Sequence, residues 1–201
     1  MARRSDHSRD ELKALMIKAG LDLIRKDGLS GFSARKVAGK VGYTVGSVYH
    51  VFGSYDTLML EMNAVTLDAL KGDVLSALER THRKEPLQVL ANGYYEFARK
   101  NYAQWTALFE YRLQTEKKLP EWYRTKLREL FCLIEEQLLA YCMDSKHEAR
   151  RHAYVLWAGI HGICVLGLSG RLSVVGGQST HALIQTFLKH YVMGIKAGNK
   201  H

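Results

Sequence analysis

Residues 32–52 constrain this chain most, because two short apolar periodicities meet there across a glycine. The apolar residues that recur at helical spacing are Val37, Ala38 and Val41 before Gly42, and Val45, Val48 and Phe52 after it. A glycine at this point can adopt the positive φ that ends a helix without a Cβ clash. The pattern therefore predicts two short helices that are joined by a tight turn.

Polar residues mark where these two helices begin and which face they leave uncovered. Ser33 and Thr44 are each suited to cap the N-terminus of a helix. The second helix buries few side chains, and the residues left outside are Thr44, Gly46, Ser47, Tyr49 and His50. Such groups suit base edges and phosphates in a DNA major groove. The alternative is an ordinary helical hairpin with a solvated polar face, and the pattern alone does not decide between the two.

The flanking residues extend this pattern in both directions. A helix over residues 9–26, with Ala19, Leu23 and Ile24 facing inward, comes first. The ordered positions after it are the turn Asp27-Gly28-Leu29, the Phe32-Ser33 step, the core Val37-Ala38 and Val41-Gly42, the set Gly46, Val48, Tyr49 and Phe52, and Asp56 and Leu58 at the start of a fourth helix. In order and spacing they resemble the N-terminal domain of the TetR/AcrR family of transcriptional regulators.

The resemblance implies an all-α chain of about nine helices. A three-helix, helix-turn-helix DNA-binding domain would cover residues 1–53, and a helical effector-binding and dimerisation domain would cover residues 54–201. The residues expected to contact DNA are Ser33, Arg35, Thr44, Val45, Gly46, Ser47, Tyr49, His50 and Tyr55. Arg35 is the candidate for a bidentate guanine contact. Where the family usually has a phosphate-binding lysine this chain has Tyr55, which can donate a hydrogen bond but brings no charge.

The charge of the chain suits a polyanionic partner such as double-stranded DNA. The 29 Lys and Arg residues outnumber the 20 Asp and Glu residues, which gives a net charge of +9. Residues 1–60 hold ten basic and six acidic residues, which gives +4 of the total of +9. The positive charge is therefore not confined to the DNA-binding end. The arm Ala2-Arg3-Arg4 either follows DNA or is a solvated tail. Residues 1–11 are too polar for a signal peptide, so we expect a cytoplasmic protein.

Residues 153–170 contain no Asp, Glu, Lys or Arg, which approaches the length of a membrane span. His161 and several glycines interrupt this segment, and we expect a buried soluble helix and no membrane span. A helix that is apolar nearly all round must be covered on every side. In TetR-like proteins the last two long helices pair with those of a second subunit. The resemblance thus places a homodimer interface in residues 149–168 and 180–193.

The same segment carries a second resemblance. Leu156 and Trp157, followed by His161-Gly162 and Leu166, resemble a C-terminal domain type of the family that is called WHG. His161 has two interpretations: it is a polar group that faces a ligand, or a structural histidine that ties helices together.

Aromatic residues crowd the region between these two ends. Bulky rings at helical spacing are often plain core, but rings with polar tips can also line a cavity for a small hydrophobic or aromatic effector. Family resemblance places the effector pocket in this helical domain. The candidate ligand-binding residues are Tyr95, Trp105, Phe109, Trp122 and His161.

No pattern supports a metal, a cofactor or catalysis. Cys132, Cys142 and Cys164 lack redox or zinc spacing, so we interpret them as buried hydrophobes, with redox sensing as the alternative. His147 and His152 are five residues apart, which favours exposure over metal binding. The predicted function is a ligand-responsive repressor that binds a pseudo-palindromic operator as a dimer. A ligand-independent or architectural DNA-binding protein is the second hypothesis, and an enzyme is the weakest.

Overall fold

The computed structural model describes residues 7–82, 85–114, 118–141, 145–174 and 176–198, and these residues form ten helices and no strand. The helices are α1 (Arg9–Asp27), α2 (Ala34–Lys40), α3 (Val45–Phe52), α4 (Tyr55–Arg80), α5 (Pro86–Lys100), α6 (Tyr102–Glu110), α7 (Glu121–Tyr141), α8 (Lys146–Leu168), α9 (Arg171–Val174) and α10 (Thr180–Gly198). The all-α prediction is confirmed, and the four-residue α9 adds one helix to the nine expected. The Ala2-Arg3-Arg4 arm and Cys142 lie outside the described residues.

Contacts divide the chain into two units, and the first comprises Met1–Leu67 and Asn101–Tyr123. It contains α1, α2, α3, the first part of α4, and α6. Its core joins side chains from all of these helices, among them Met16, Ile24, Val37, Val48, Phe52, Leu58, Met62 and Ala107. The predicted boundary after residue 53 separates two functional domains, whereas these units are defined by contacts and each contains two segments of the chain. The boundary therefore stays a prediction.

Local capping explains where the short helices begin. The Ser33 hydroxyl accepts from the Lys36 N–H at 3.2 Å, and the Thr44 hydroxyl accepts from the Ser47 N–H at 3.2 Å. Both predicted caps are confirmed, and each satisfies one N–H group that a helix start leaves unpaired. Gly42, in the turn between α2 and α3, has φ +75°, as predicted.

The prediction of a buried face on α3 was wrong for one residue, Val45. Val45 was expected to repeat the buried pattern of α3, but 39% of it is exposed, whereas Val48, Val51 and Phe52 are buried. Val45 is the first residue of α3, and a side chain in the first turn of an eight-residue helix can project past the core. Its exposure is instead compatible with the DNA-contact role that was also predicted for it.

The second unit comprises Asp68–Lys100 and Arg124–His201. In it α8 packs against α10 and α5, with Leu156, Ile160, Ile184 and Leu188 buried. Gly159 makes this close packing possible, because a Cβ there would lie 2.3 Å from Cζ of Phe187 on α10. This packing of α8 against α10 lies within one chain, and the homodimer interface in residues 149–168 and 180–193 stays a prediction.

Three further expectations, about a membrane span, two histidines and the cysteines, also have an outcome in the structure. No helix among the described residues is long and apolar enough to cross a membrane. His152 is half-buried, and its Nδ1 lies 2.7 Å from the Tyr191 hydroxyl, so the expectation of solvent exposure was wrong for His152; His147 is exposed. Cys164 is buried and Cys132 is half-buried, as expected for cysteines in apolar helices.

Candidate nucleic-acid interface

The outward face of α3 is the first part of the candidate interface. Val48, Val51 and Phe52 hold the helix against the core of the first unit, and this fixes which residues point away. Those exposed are Thr44, Val45, Gly46, Tyr49 and His50. The result is an eight-residue helix with a buried apolar side and an uncovered side of small, hydroxyl and aromatic groups. Such a helix can enter a major groove without a bulky side chain at its N-terminal end.

Two hydroxyl groups at the N-terminus of α3 bond to each other. The Thr44 and Ser47 side-chain oxygens are 3.0 Å apart, and Ser47 is half-buried. Each hydroxyl can still accept or donate one further hydrogen bond. This pair is therefore preorganised at the helix end where backbone N–H groups attract phosphate.

The cations of α2 differ in their surroundings. Lys36 Nζ donates to the Gly31 carbonyl at 2.5 Å. Lys40 pairs with Asp22 at 3.2 Å, and this hydrogen bond is the main cause of the lowered pKa of the Asp22 carboxyl. Arg35 is exposed in the first turn of α2. The contact of Arg35 with DNA stays a prediction.

Tyr55 differs from the other predicted DNA contacts because much of its ring is occupied. Its ring centroid lies 5.8 Å from that of Phe32 and 6.1 Å from that of Tyr111. Burial raises the pKa of its hydroxyl. The phosphate contact stays a prediction, but the ring is part of the packing of the first unit.

The start of α1 adds residues that the sequence patterns missed. His7 Nδ1 lies 3.0 Å from the Tyr43 hydroxyl, in the turn before α3, and the Arg9 guanidinium donates to the Val51 carbonyl at 3.4 Å. In the sequence, only the position of Tyr43 directly before the cap residue Thr44 could have indicated that Tyr43 supports α3. The two contacts attach the beginning of α1 to both ends of α3.

The five candidate ligand-binding residues do not lie in one unit. Trp105, Phe109 and Trp122 belong to the first unit, whereas Tyr95 and His161 belong to the second. Trp105 is buried and contacts Phe109 edge-on, with ring centroids 5.5 Å apart. These five residues stay predictions as a ligand site.

His161 has a defined environment within the second unit, which we call the His161 cluster: His161, Tyr94, Trp157 and Phe131. The Tyr94 hydroxyl lies 2.8 Å from His161 Nδ1, and Trp157 stacks on the imidazole with centroids 5.2 Å apart. Phe131 meets Trp157 edge-on at 5.4 Å. Desolvation lowers the pKa of His161, so the neutral imidazole is favoured. Tyr94 and Phe131 were not among the predicted residues.

A groove with a volume of about 510 Å³ runs between α4 and α5 of the second unit. Its lining combines charged residues, including Asp73, Arg80, Glu96 and Lys100, with apolar ones such as Ala77 and Phe97. None of the predicted ligand-binding residues lines this groove. Among the described residues, no group of three or more His, Cys, Asp or Glu side chains could hold a metal ion.

Family profiles match both ends of the chain. The profile described as "Bacterial regulatory proteins, tetR family" matches residues 16–62, and the one described as "Tetracyclin repressor-like, C-terminal domain" matches residues 87–191. The chain belongs to the TetR family. It is a DNA-binding transcriptional regulator, so the resemblance inferred from the sequence is confirmed. TetR regulators bind DNA and dimerise, and this membership disfavours an enzyme.

Solved structures share the fold of this chain over most of its length. A protein of unknown function from Rhodococcus sp. RHA1 is 18% identical, with 96% of this chain and 98% of that chain covered and a TM-score of 0.75. The multidrug binding protein EbrR, complexed with imidazole, is 18% identical, with 92% and 96% covered and a TM-score of 0.62.

A third structure is NalD of Pseudomonas aeruginosa, the secondary repressor of the MexAB-OprM multidrug efflux pump. It is 19% identical, with 94% of this chain and 97% of that chain covered and a TM-score of 0.56. No curated protein sequence matches the chain significantly. At these identities the solved structures are evidence only for the fold of this TetR regulator, and not for its ligand or its operator.

Proposed function

We propose that this TetR regulator is a ligand-responsive repressor that binds a pseudo-palindromic operator as a homodimer in the cytoplasm. The observation that carries the proposal is α3, which is capped at Thr44, held to the core by Val48 and Phe52, and uncovered on its other side. Two such helices in a dimer would read half-sites about one helical turn apart or a multiple of it. Bound protein would then block transcription from an overlapping promoter.

The DNA contacts proposed for each subunit come from α2, α3 and the start of α4. They are Ser33, Arg35, Thr44, Val45, Gly46, Ser47, Tyr49, His50 and Tyr55. Arg35 would read a guanine, and the hydroxyl and aromatic residues of α3 would contact base edges and phosphates.

DNA fragments selected from a random library by the purified protein would test this proposal. We expect a two-fold symmetric consensus. Replacing Arg35 by Ala should relax the choice at one position of each half-site, which corresponds to a loss of roughly 1–3 kcal/mol of discrimination. Lys146→Ala removes an exposed cation at the start of α8 and serves as the control. If Arg35→Ala weakens binding equally for every sequence, Arg35 contacts a phosphate and does not read a base.

The proposed dimer interface is the uncovered face of α8 together with part of α10, within residues 149–168 and 180–193. Val155 and Leu166 are 47% and 42% exposed, and they share a helix face with Ala158 and Gly162. A Cβ on Gly162 would meet no atom within 4 Å, so the α8 backbone is open to a partner there. Leu188 on α10 is unsuitable as a probe of this face, because it is 3% exposed within its own chain.

A charge on this face should separate the subunits. Val155→Glu or Leu166→Glu would place an unpaired carboxylate in an apolar interface, which costs several kcal/mol, so we expect monomers at micromolar concentration. Val174→Glu adds the same charge at a residue that is 84% exposed, in α9, and should leave the dimer intact. Sedimentation velocity distinguishes these outcomes, and a folded wild-type monomer would contradict the assignment.

We also propose a small hydrophobic or aromatic effector for this regulator. The candidate residues are Tyr95, Trp105, Phe109, Trp122 and His161, and the His161 cluster supports the last of them, since it combines stacked rings with hydrogen-bonding tips. Two proteins of similar fold support this proposal, since EbrR is a multidrug binding protein and NalD is a repressor.

Linkage provides the test of ligand control. If the effector favours a form of the dimer unlike the operator-bound form, operator DNA must weaken effector binding by the same factor by which effector weakens operator binding. A hydrophobic compound found by thermal-shift screening would be titrated calorimetrically into the protein with and without its selected DNA. Equal affinities in the two titrations would favour the ligand-independent DNA-binding protein instead.

A further inference from the structure

The end of α6 is fastened to the beginning of α4 inside the first unit. The Tyr111 hydroxyl, directly after α6, donates to the Asp56 carboxylate in the first turn of α4. The Gln114 N–H donates to the same carboxylate oxygen at 3.0 Å. Two donors from one segment therefore converge on one acidic group, and a charged acceptor makes such hydrogen bonds stronger than neutral ones.

Rings continue this connection into the helix-turn-helix core. The Tyr55 ring contacts both the Tyr111 ring and the Phe32 ring, with centroids 6.1 Å and 5.8 Å away. Phe32 is buried in the core that also contains Val48 and Phe52 of α3. A displacement of Tyr111 would thus press on Tyr55 and, through Phe32, on the side of the core that supports α3.

The connection between α3 and α4 is too short to absorb such a displacement. Only Gly53 and Ser54 separate the two helices. Ser54 is itself held, because its hydroxyl accepts from the Thr57 N–H at 3.0 Å. Any rotation of the α4 first turn about Asp56 is therefore passed to α3 within a few residues.

Packing of small side chains also keeps α6 attached to the first unit. Ala103 and Ala107 lie one helical turn apart and, with Tyr111 one turn further along, pack against the core of the first unit. Two alanines allow the α6 backbone to approach α1 closely. For this reason α6 is a rigid support for the Tyr111 hydroxyl.

We infer that Tyr111 is a positioning residue for operator recognition: through Asp56 and Tyr55 it holds the α4 first turn, and with it α3, in the orientation that fits a half-site. In this chain Tyr55 serves as a packing link where the family usually has a phosphate-binding lysine. This inference rests on the proposed operator binding of the regulator, and it adds the residues that set the orientation of α3.

A purely structural hydrogen bond would have a different signature. Its loss would lower the melting temperature and weaken specific and non-specific DNA binding together, because folded protein would be lost. Loss of a positioning contact lowers specific binding alone. Non-specific binding depends on phosphate charge and not on the angle of α3, and Tyr→Phe changes no charge.

The test compares two variants that remove one hydroxyl each from the two ends of α6. Tyr111→Phe removes the Asp56 contact and keeps the ring. Tyr102→Phe also removes one hydroxyl and keeps the ring, but at an exposed position, and it is the matched control. Fluorescence anisotropy would measure affinity for the DNA fragment selected by the wild-type protein and for a random duplex of equal length. We expect the ratio of the two affinities to fall about tenfold for Tyr111→Phe and to stay unchanged for Tyr102→Phe.

Tyr55→Phe separates the two roles of Tyr55. This variant keeps the ring, which is the packing link, and removes the hydroxyl that is proposed to contact a phosphate. We therefore expect weaker binding of both DNAs with the ratio of the two affinities as in the wild type. A lower ratio in Tyr55→Phe would overturn the role of the ring as the packing link. An unchanged ratio in Tyr111→Phe, or equal losses for both DNAs together with a lower melting temperature, would overturn the positioning role.

Hydrogen exchange without DNA keeps the inference testable if the wild-type protein selects no sequence, a result that would count against the proposed function itself. We expect Tyr111→Phe to accelerate amide exchange in the first turn of α4 and at Gln114, while α8 exchanges as in the wild type. Unchanged protection in the α4 first turn would show that the hydroxyl does not hold it, and would refute the inference.

Discussion

Two glycines of the helix-turn-helix provide a sharp test of what holds the turn together. Gly42 has φ +75° and Gly39 lies within α2, three residues earlier. A Cβ added at either position would meet no atom within 4 Å, so neither substitution by alanine creates a clash. Any difference between the two variants must come from the backbone conformation alone.

The expected effects of the two alanine variants have opposite signs. An alanine at Gly42 must adopt a left-handed conformation, which costs about 1–2 kcal/mol for a residue with a Cβ. An alanine at Gly39 replaces a helical glycine and gains up to about 1 kcal/mol of helix propensity. The free energies of unfolding of the two variants should therefore differ by about 1–3 kcal/mol.

Urea denaturation followed by tryptophan fluorescence measures this difference, because Trp105 is buried in the first unit and reports its unfolding. We expect a lower midpoint than wild type for Gly42→Ala and an unchanged or higher midpoint for Gly39→Ala. If both midpoints move in the same direction by similar amounts, the conformation of Gly42 does not determine the stability of the turn and the reasoning fails.

Three further predictions follow from single side chains. Thr44→Ala removes the cap of α3 and should lower the stability of the protein by about 1 kcal/mol, measured by thermal denaturation against Thr81→Ala in an exposed position. Cys164 is buried and its pKa is raised to about 12, so it should resist iodoacetamide at pH 8 in the folded protein while half-buried Cys132 reacts faster, which peptide mass spectrometry can follow. Burial lowers the pKa of His161 below its ordinary 6.5, so the unfolded chain takes up a proton that the folded chain resists; stability should be full above pH 6.5 and fall as the pH drops from there to the folded pKa. Melting temperatures between pH 7.5 and 5 should show a smaller decrease for His161→Gln, and parallel curves would contradict this role of His161.

The helix-turn-helix could be predicted from the sequence because its determinants are local. A cap at Ser33 or Thr44 needs only the backbone N–H three residues later, and the turn at Gly42 needs only a residue that tolerates positive φ. These requirements involve fewer than five consecutive residues. A single sequence therefore contains all the information that they need.

Contacts between distant segments could not be predicted in the same way. The apolar spacing of α3 put Val45 with Val48, but periodicity does not show where a core ends, and Val45 projects beyond it. His152 and Tyr191 are 39 residues apart, and only the packing of α8 against α10 brings them within 2.7 Å. The interpretation of His152 as exposed failed because spacing within one helix carries no information about a second helix.

The packing of α6 shows how a contact that the sequence does not reveal can affect the interpretation of function. Ala103, Ala107 and Tyr111 recur every four residues, and this spacing predicts a buried stripe on a helix without naming what buries it. Family resemblance placed the aromatic residues of this region around an effector pocket, yet the stripe packs on the core that supports α3. Trp105 and Phe109 therefore lie in the same unit as α3. An effector that contacted them would act on that unit directly, and its effect on operator binding should depend on the Tyr111 hydroxyl. Tyr111→Phe should consequently weaken the linkage between effector and operator in the calorimetric titrations, even if the effector itself still binds.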